Sequence, residues 1–321
     1  MKLVTLFATS IVATLSLCAA PTQCGNAVYF ANEAPDILNT KLTAKTKELC
    51  YSAFAVMHSG VARSPLWSAE HLYGIKLGTK VDRTNDFHPE ERLSSDERSE
   101  LSDYAHSGYD RGHMAPARDF NTLQSESECF TLANMVPENS ENNRGIWADI
   151  EGATRELAKI KNELYVITGP LFIGSNIQRL NGRVFIPTKI YKAIYDPSSG
   201  QGAAYLVDNA PGRDYKVVSI AQIEQLAGIR LFPKMSASAK QTPMILPPPQ
   251  THGSNDAKAI VPNIQVAAKT PSSSAQCGSK HSCKEMSSCD EARYFLTQCS
   301  ESHLDGDGDG TPCEKLCRGR K

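Results

Sequence analysis

The chain has 321 residues, with 34 Lys+Arg against 35 Asp+Glu and a formal net charge of −1. It therefore cannot coat a polyanion by bulk charge, and any polyanion binding must come from a local patch. Apolar residues make up 40% and charged residues 21%, which allows a real core, excludes wholesale disorder, and at this length suits a catalytic domain with an accessory module. The first element is an uncharged run from Leu3 to Ala20 behind Lys2, closing on small residues. It reads as a secretory signal peptide over 1–20. The alternative is a membrane anchor, but Thr5, Ser10, Thr14 and Ser16 dilute the run. Lipidation at Cys18 is disfavoured by Leu17, and Pro21 leaves the cleavage point open. No later segment is apolar enough to span a membrane.

Residues 21–235 have mixed globular composition. Leu49–His58 is an apolar run expected as one buried strand. Tyr109-Asp110-Arg111-Gly112-His113-Met114-Ala115-Pro116 follows, with Gly112 expected to allow a tight turn and Pro116 to end whatever comes next. Ser140 can cap a helix running through Trp147, Ile150, Leu157 and Ile160, which Gly145 and Gly152 weaken. Leu164–Phe172, Val184–Ile186 and Tyr191–Tyr195 suit further strands, and Ile220–Ala227 a second amphipathic helix. Strands dominate without strict βαβ alternation, so the expected class is α+β. From 236 to 276 the composition shifts: six of the 18 prolines fall here and aromatics are absent. This reads as a semi-extended linker; a Pro-Pro-Pro ligand for an aromatic groove is the other reading.

Chemistry concentrates in two stretches. Asp110, Arg111 and His113 place an acid, a guanidinium and an imidazole within four residues. A His so placed can take a proton near neutral pH, and an Arg can grip a phosphate with two parallel hydrogen bonds. Taken alone, a salt-bridged turn with a structural His is at least as common. On the expected helix, Asn143, Trp147, Glu151 and Arg155 recur every fourth residue. At about 100° per residue they form one broad stripe. Asn143 offers a hard amide oxygen suited to Mg²⁺, Glu151 can hold metal-bound waters, and Arg155 can meet a phosphate oxygen. The bland reading is a Glu–Arg pair beside a core Trp.

Together, YDRGHMAP and N-x3-W-x3-E-x3-R resemble the DNA/RNA non-specific endonuclease family, the Serratia-nuclease-like enzymes of the ββα-metal superfold. LCYSAFAVMHSGVARSPLWSAEHL, FTLANMVPEN and LYVITGPLF also look like that family, so the resemblance spans roughly residues 45–235. It implies an antiparallel central sheet flanked by helices, with DNA and RNA as substrates. By position it implies His113 as general base, Asn143 as the one protein ligand of a hydrated Mg²⁺ (with Mn²⁺ able to replace it), and Glu151 as the acid on the metal's waters. Arg111 and Arg155 would stabilise the phosphate, and Asp110 is the acid preceding Arg111. Such chemistry ignores the ribose 2′-OH and leaves 5′-phosphates. Seven basic residues between Glu151 and Lys192 (Arg155, Lys159, Lys161, Arg179, Arg183, Lys189, Lys192) could supply the phosphate patch that the net charge lacks, against the alternative of solvated surface charge.

Six of the ten cysteines lie between Cys277 and Cys317, as in a small module stapled by disulfides. Within 277–321, Asp305, Asp307 and Asp309 alternate, as in a loop that wraps oxygens round one cation. Unlike an EF-hand, the next acid is Glu314 beside Cys313, where Leu316 holds the twelfth position. The pattern resembles the extracellular Excalibur calcium-binding domain, which implies Ca²⁺ on Asp305, Asp307, Asp309 and Glu314; Cys283–Cys313 is the expected pair. Zinc on His281 and cysteines is the other reading, against which the secreted context argues. The expected protein is a secreted or periplasmic metal-dependent nuclease with a tethered calcium module. Its rivals are a catalytically dead nucleic-acid-binding or adhesion protein, and a phosphodiesterase acting on nucleotides or lipids. Oligomeric state is not encoded legibly.

Overall fold

The computed structural model describes residues 22–250 and 280–317, apart from 26–27, 79–80, 287–288, 300 and 307–311. The expected signal peptide, most of the linker, Asp307 and Asp309 lie outside the described residues. The chain forms two compact units that divide near residue 254, and each is described by itself.

The first unit is built on seven antiparallel strands. The chain lays down β1 (Thr46–Cys50), β2 (Phe54–Ser59) and β3 (Ser64–Tyr73). A separate two-stranded ribbon follows, β4 (Tyr109–His113) with β5 (Met135–Asn139), and helix α1 (Leu123–Cys129) lies between its strands. Helix α2 (Ala148–Lys161) leads into β6 (Glu163–Leu171), β7 (Lys189–Asp196), β8 (Gln201–Asp208) and β9 (Tyr215–Val218), and α3 (Ile220–Ala227) follows. The sheet order is β9-β8-β7-β6-β3-β2-β1. The expected α+β class and antiparallel central sheet are therefore present. The single strand expected over Leu49–His58 is instead a hairpin, because Tyr51–Ala53 form the turn between β1 and β2.

Strands β6 to β8 are buried on both faces, which is why they read as apolar runs without alternation. Along β7 the two-residue period still sorts side chains. Tyr191, Ala193 and Tyr195 join the cluster under α3, where Ile220 and Ile223 pack. Ile190 and Ile194 join the cluster under α2, with Trp147, Ile150 and Leu157. Lys192 alternates onto that α2 side, fully buried; its ammonium lies 5.5 Å from the Trp147 ring centroid and donates to Thr168 Oγ1 at 2.8 Å. Helix α3 has the boundaries its sequence predicts. Ser219 and Gln222 form a capping box, and Gly228 closes it in the left-handed conformation.

The described part of the segment expected as a linker from residue 236 packs on the first unit. Residues Ala237–Gln241 form a helical turn, and Lys240 pairs with Glu224 at 2.7 Å. Met244 and Leu246 are buried in the α2 cluster, Met244 N donates to Gly202 O at 3.0 Å, and Tyr205 Oη donates to Pro247 O. Composition suggested a spacer because prolines are frequent here, but Met244 and Leu246, two of the three apolar residues between Pro243 and Pro247, pack into the α2 cluster.

Disulfides join Cys24 to Cys50 in this unit, and Cys129 is free and buried. In the second unit α4 (Cys289–Gln298) packs Ala292 and Phe295 against Met286, Leu304 and Cys313. This small core is stapled by Cys283–Cys313, the expected pair, and by Cys289–Cys317. Asp305 is half-buried, and Glu314 opens a helical turn over Glu314–Cys317.

Candidate active site

The β4–β5 ribbon and α2 frame a cleft of about 690 Å³. Its walls include Asp110, Arg111, His113, Asn143, Glu151 and Arg155, all six residues singled out for the chemistry in the sequence. His113 ends β4. The next residues are pinned by Asn134, a buried side chain whose amide donates to Ala115 O at 2.8 Å and Cys129 O at 2.9 Å. Its oxygen accepts from Ala115 N at 3.0 Å and from Ser68 Oγ of β3 at 2.8 Å. One neutral amide thereby ties the end of β4 to the central sheet and fixes the imidazole's position.

Gly112 sits in a strand and not in the tight turn expected for it. Glycine is required there because a Cβ would fall on the carboxylate of Glu138 in β5. Glu138 is fully buried, accepts from Asn142 Nδ2 at 2.8 Å, and is held well above the usual carboxylate range chiefly by burial.

The His113 ring lies 5.0 Å from Phe130, edge to face, and 5.7 Å from Phe87. Its Nε2 is buried with no hydrogen-bond partner among the described residues. Burial, with Arg83 and Arg111 nearby, pulls its pKa from 6.5 down to about 3. The imidazole is therefore neutral at physiological pH, with a nitrogen ready to accept a proton. The Arg111 guanidinium stacks on Phe87 at 4.0 Å and that of Arg83 on Phe130 at 4.9 Å. The same two rings thus carry the imidazole and both cations.

Residues between β5 and α2 do not form the continuous helix expected from Ser140. A helical turn at Ser140–Asn142 is followed by a wide, π-type turn over Asn143–Trp147, and Gly145 leaves helical geometry at φ −109° and ψ −111°. The regular stripe from Asn143 to Arg155 is broken at that turn, so angular arithmetic does not carry across it. The outcome still brings Asn143, Glu151 and Arg155 to one cleft, while Trp147 is fully buried beneath them.

Asn143 Nδ2 donates to Asp110 Oδ2 at 2.9 Å, and Arg144 donates to both oxygens of Asp110 at 2.8 Å. Asp110 thus fixes the Asn143 amide and leaves its Oδ1 as the acceptor for an incoming group. Glu151 is half-buried; desolvation pushes its pKa up to about 7, against the opposing effects of Lys192 and Arg155. Arg155 Nη1 is bonded to Asp119 at 2.9 Å, with both side chains largely buried. Asn143 Oδ1 and the Glu151 carboxylate form an oxygen-donor set of the kind a hydrated Mg²⁺ takes. Among the described residues, one cluster of three His, Cys, Asp or Glu ligand atoms occurs, at Cys24, Glu48 and Cys50, and its two sulfurs are joined in a disulfide.

The seven cations counted between Glu151 and Lys192 do not make a patch. Arg155, Lys159, Lys161, Arg183 and Lys189 are paired with Asp119, Glu156, Asp196, Asp103 and Asp208. Arg179 stacks on Phe185, and Lys192 is buried. The positive wall comes from Arg83, Arg111 and Arg118. Arg83, Asn134, Asp119 and Glu138 were not singled out in the sequence. Asn134 and Glu138 fall inside the family-like FTLANMVPEN, Asp119 lies just past YDRGHMAP, and Arg83 stands in a loop with no periodicity to mark it.

The family model described as DNA/RNA non-specific endonuclease matches residues 34–238, and that of the Excalibur calcium-binding domain matches residues 280–314. Nuclease C1 of Cunninghamella echinulata is 34% identical over 209 residues, covering 58% of this chain and 82% of that protein. The mitochondrial nuclease EXOG of Danio rerio is 34% identical over 207 residues, covering 58% of this chain and 60% of that protein. The chain therefore matches about three-fifths of the length of that mitochondrial relative. In the solved EndoG/EndoGI complex, one chain is matched with a TM-score of 0.57 and 28% identity, over 60% of this chain and 88% of that one. With the family model covering more than half its residues and the ββα-metal architecture around its cleft, the chain belongs to the DNA/RNA non-specific endonuclease family.

Proposed function

We propose that this protein is a secreted or periplasmic sugar-non-specific endonuclease that hydrolyses DNA and RNA phosphodiesters and leaves 5′-phosphates. The observation that carries this reading is the neutral, buried His113 with an unpartnered Nε2, facing a cleft shared with a pre-oriented Asn143 amide. Asn143 Oδ1 would hold the divalent ion, Mg²⁺ or Mn²⁺, and Glu151 would accept hydrogen bonds from its waters. When bound, that ion neutralises charge on the phosphoryl group and on the departing 3′-oxygen.

His113 Nε2 accepts the proton of the attacking water. Arg111 holds a non-bridging phosphate oxygen with its guanidinium braced on Phe87. Arg155, held by Asp119, faces the same phosphate and keeps Glu151 from rising further. No residue in this scheme needs the 2′-OH, which is why DNA and RNA should serve alike. The tail module would hold Ca²⁺ through Asp305, Asp307, Asp309 and Glu314. Disulfides in both units favour an oxidising compartment, and among the described residues no helix is long and apolar enough to cross a membrane.

Digestion of plasmid, single-stranded DNA and RNA with Mg²⁺ tests the reading, with product ends mapped by phosphatase-dependent ligation. Cleavage of all three is expected. Binding without cleavage would support the catalytically dead rival, and turnover confined to mononucleotide or lipid diesters would support the phosphodiesterase.

A further inference from the structure

Three depressions meet at Arg118 and Arg155. The first is the catalytic cleft. The second, about 610 Å³, continues past Arg83 and Lys159, with Asp82 and Glu126 in its walls. The third, about 490 Å³, runs between α2 and the Pro247–Gln250 segment, with Asp149 and Glu156 in its walls. With Arg155 paired to Asp119, Lys159 to Glu156 and Asp149 to Arg213, the cations outside ion pairs are Arg83 and Arg118 in the second depression and Arg118 alone in the third. One carboxylate of the second is already engaged, because Glu126 accepts from Thr84 N at 3.2 Å and holds the loop that carries Arg83.

Arg118 stands at the junction on the turn Ala117–Asp119, exposed, with no hydrogen-bond or ion-pair partner among the described residues. Its neighbours differ in this respect. Asp119 is committed to Arg155 at 2.9 Å and Lys159 to Glu156 at 2.7 Å. At the edge of the cleft, where its charge reaches Glu151 but no side chain is bonded to it, this guanidinium can grip a phosphate bidentately without breaking a hydrogen bond or ion pair of the fold.

We propose that Arg118 binds the phosphodiester adjoining the one being cut, and that the substrate strand leaves the cleft through the Arg83–Lys159 depression and not beside Pro247–Gln250. The assignment rests on the nuclease reading above. Strand length beyond the scissile linkage then adds affinity through a contact that a single phosphodiester cannot make.

The test uses the full chain with Mg²⁺, and compares a single-stranded oligonucleotide with bis(p-nitrophenyl) phosphate, which carries one phosphodiester. Arg118→Ala should lower kcat/KM on the oligonucleotide roughly tenfold, the size of one charge-assisted contact. It should leave bis(p-nitrophenyl) phosphate unchanged, and flatten the salt dependence on the oligonucleotide by about 0.7 of a logarithmic slope unit. Lys41→Ala, on a turn that lines none of the three depressions, should leave both the rate and the slope as they are. Lys159→Glu should weaken oligonucleotide cleavage where Gln250→Glu does not. Equal losses on both substrates would place Arg118 at the reacting phosphate and overturn the subsite, and equal effects of Lys159→Glu and Gln250→Glu would overturn the exit path. A wild-type chain inert on both substrates overturns the nuclease reading and the subsite with it; normal wild-type cleavage with an unaffected Arg118→Ala overturns the subsite alone.

Discussion

Ending the chain at residue 235, where composition places the end of the first domain, should damage it. The lost segment carries Met244 and Leu246, which are 8% and 7% exposed and lie in the cluster that supports α2. Burying two such side chains contributes ~3–6 kcal/mol together. The same cut removes Lys240 and leaves its partner Glu224 without that cation. Against a typical total of about 5–15 kcal/mol, this is a large fraction, and it should lower Tm by on the order of 10 °C or more for a unit of this size. A chain ending at 250 keeps all three side chains and should unfold like the first unit of the intact protein. Because α2 bears Glu151 and Arg155, the shorter chain should also lose activity at temperatures where the longer one is folded. Thermal unfolding by circular dichroism under oxidising conditions reads the difference, and Met244→Ala/Leu246→Ala in the intact chain isolates the packing term. Identical melting of the chains ending at 235 and 250, with an unaffected double variant, would refute the assignment of these residues to the core.

Four further outcomes follow from the site. His113→Ala should reduce cleavage on the order of 10²–10⁴-fold while retaining nucleic-acid binding, read by steady-state kinetics and filter binding. Asn143→Ala should weaken Mg²⁺ affinity, with activity partly restored by excess Mg²⁺ or Mn²⁺. Asp110→Ala, which releases both the Asn143 amide and Arg144, should cost about 10–100-fold in affinity by calorimetry. Glu151 sets a pH dependence: its carboxyl titrates near 7 before any ion binds, and only the carboxylate attracts the ion's waters. Divalent affinity should therefore be constant at higher pH and fall by about tenfold per unit below 7, and Glu151→Gln should flatten that slope. The tail over 277–321, oxidised, should bind Ca²⁺ in the range of about 10⁻⁴–10⁻³ M by calorimetry, and the chain ending at 250 should still cut DNA with Mg²⁺.

The sequence made the side chains that line the candidate site legible and their supports much less so. His113, Asn143, Glu151 and Arg155 are few, chemically distinctive and clustered in two short stretches, and α3 is bounded by its own capping box and Gly228. What holds the site depends on contacts made across the chain. Asn134 matters because it reaches Ser68, 66 residues away, and Gly112 because Glu138 lies opposite in β5. The wide turn at Asn143–Trp147 has no periodic signature beyond Gly145. The hairpin over Thr46–Ser59 was hidden because Leu49 and Cys50 of β1 run on without a break into the apolar β2, and Tyr51–Ala53 contain no glycine or proline. Cys283–Cys313 was the one tail pair expected among the fifteen connectivities that six cysteines allow, while Cys24–Cys50 had no local signal.

A net charge of −1 and a polyanionic substrate are reconciled by pairing, not by counting. Five of the seven cations expected to form the patch are neutralised by carboxylates, four from elsewhere in the chain and one, Glu156, from α2 itself, so they present little field to solvent. Arg83 and Arg111 rest on aromatic faces instead, and stacking on a ring keeps a guanidinium's full charge and its outward donors. Those same cations help to keep His113 neutral. In free solution that would make it a weak base. An anionic phosphate between the two arginines offsets their charge, and the proton affinity of His113 should rise as substrate binds. Burial remains the larger cause of the lowered pKa, so under the proposed role of His113 as general base a bound diester would restore the smaller, arginine-derived part of its basicity while the empty cleft keeps it unprotonated.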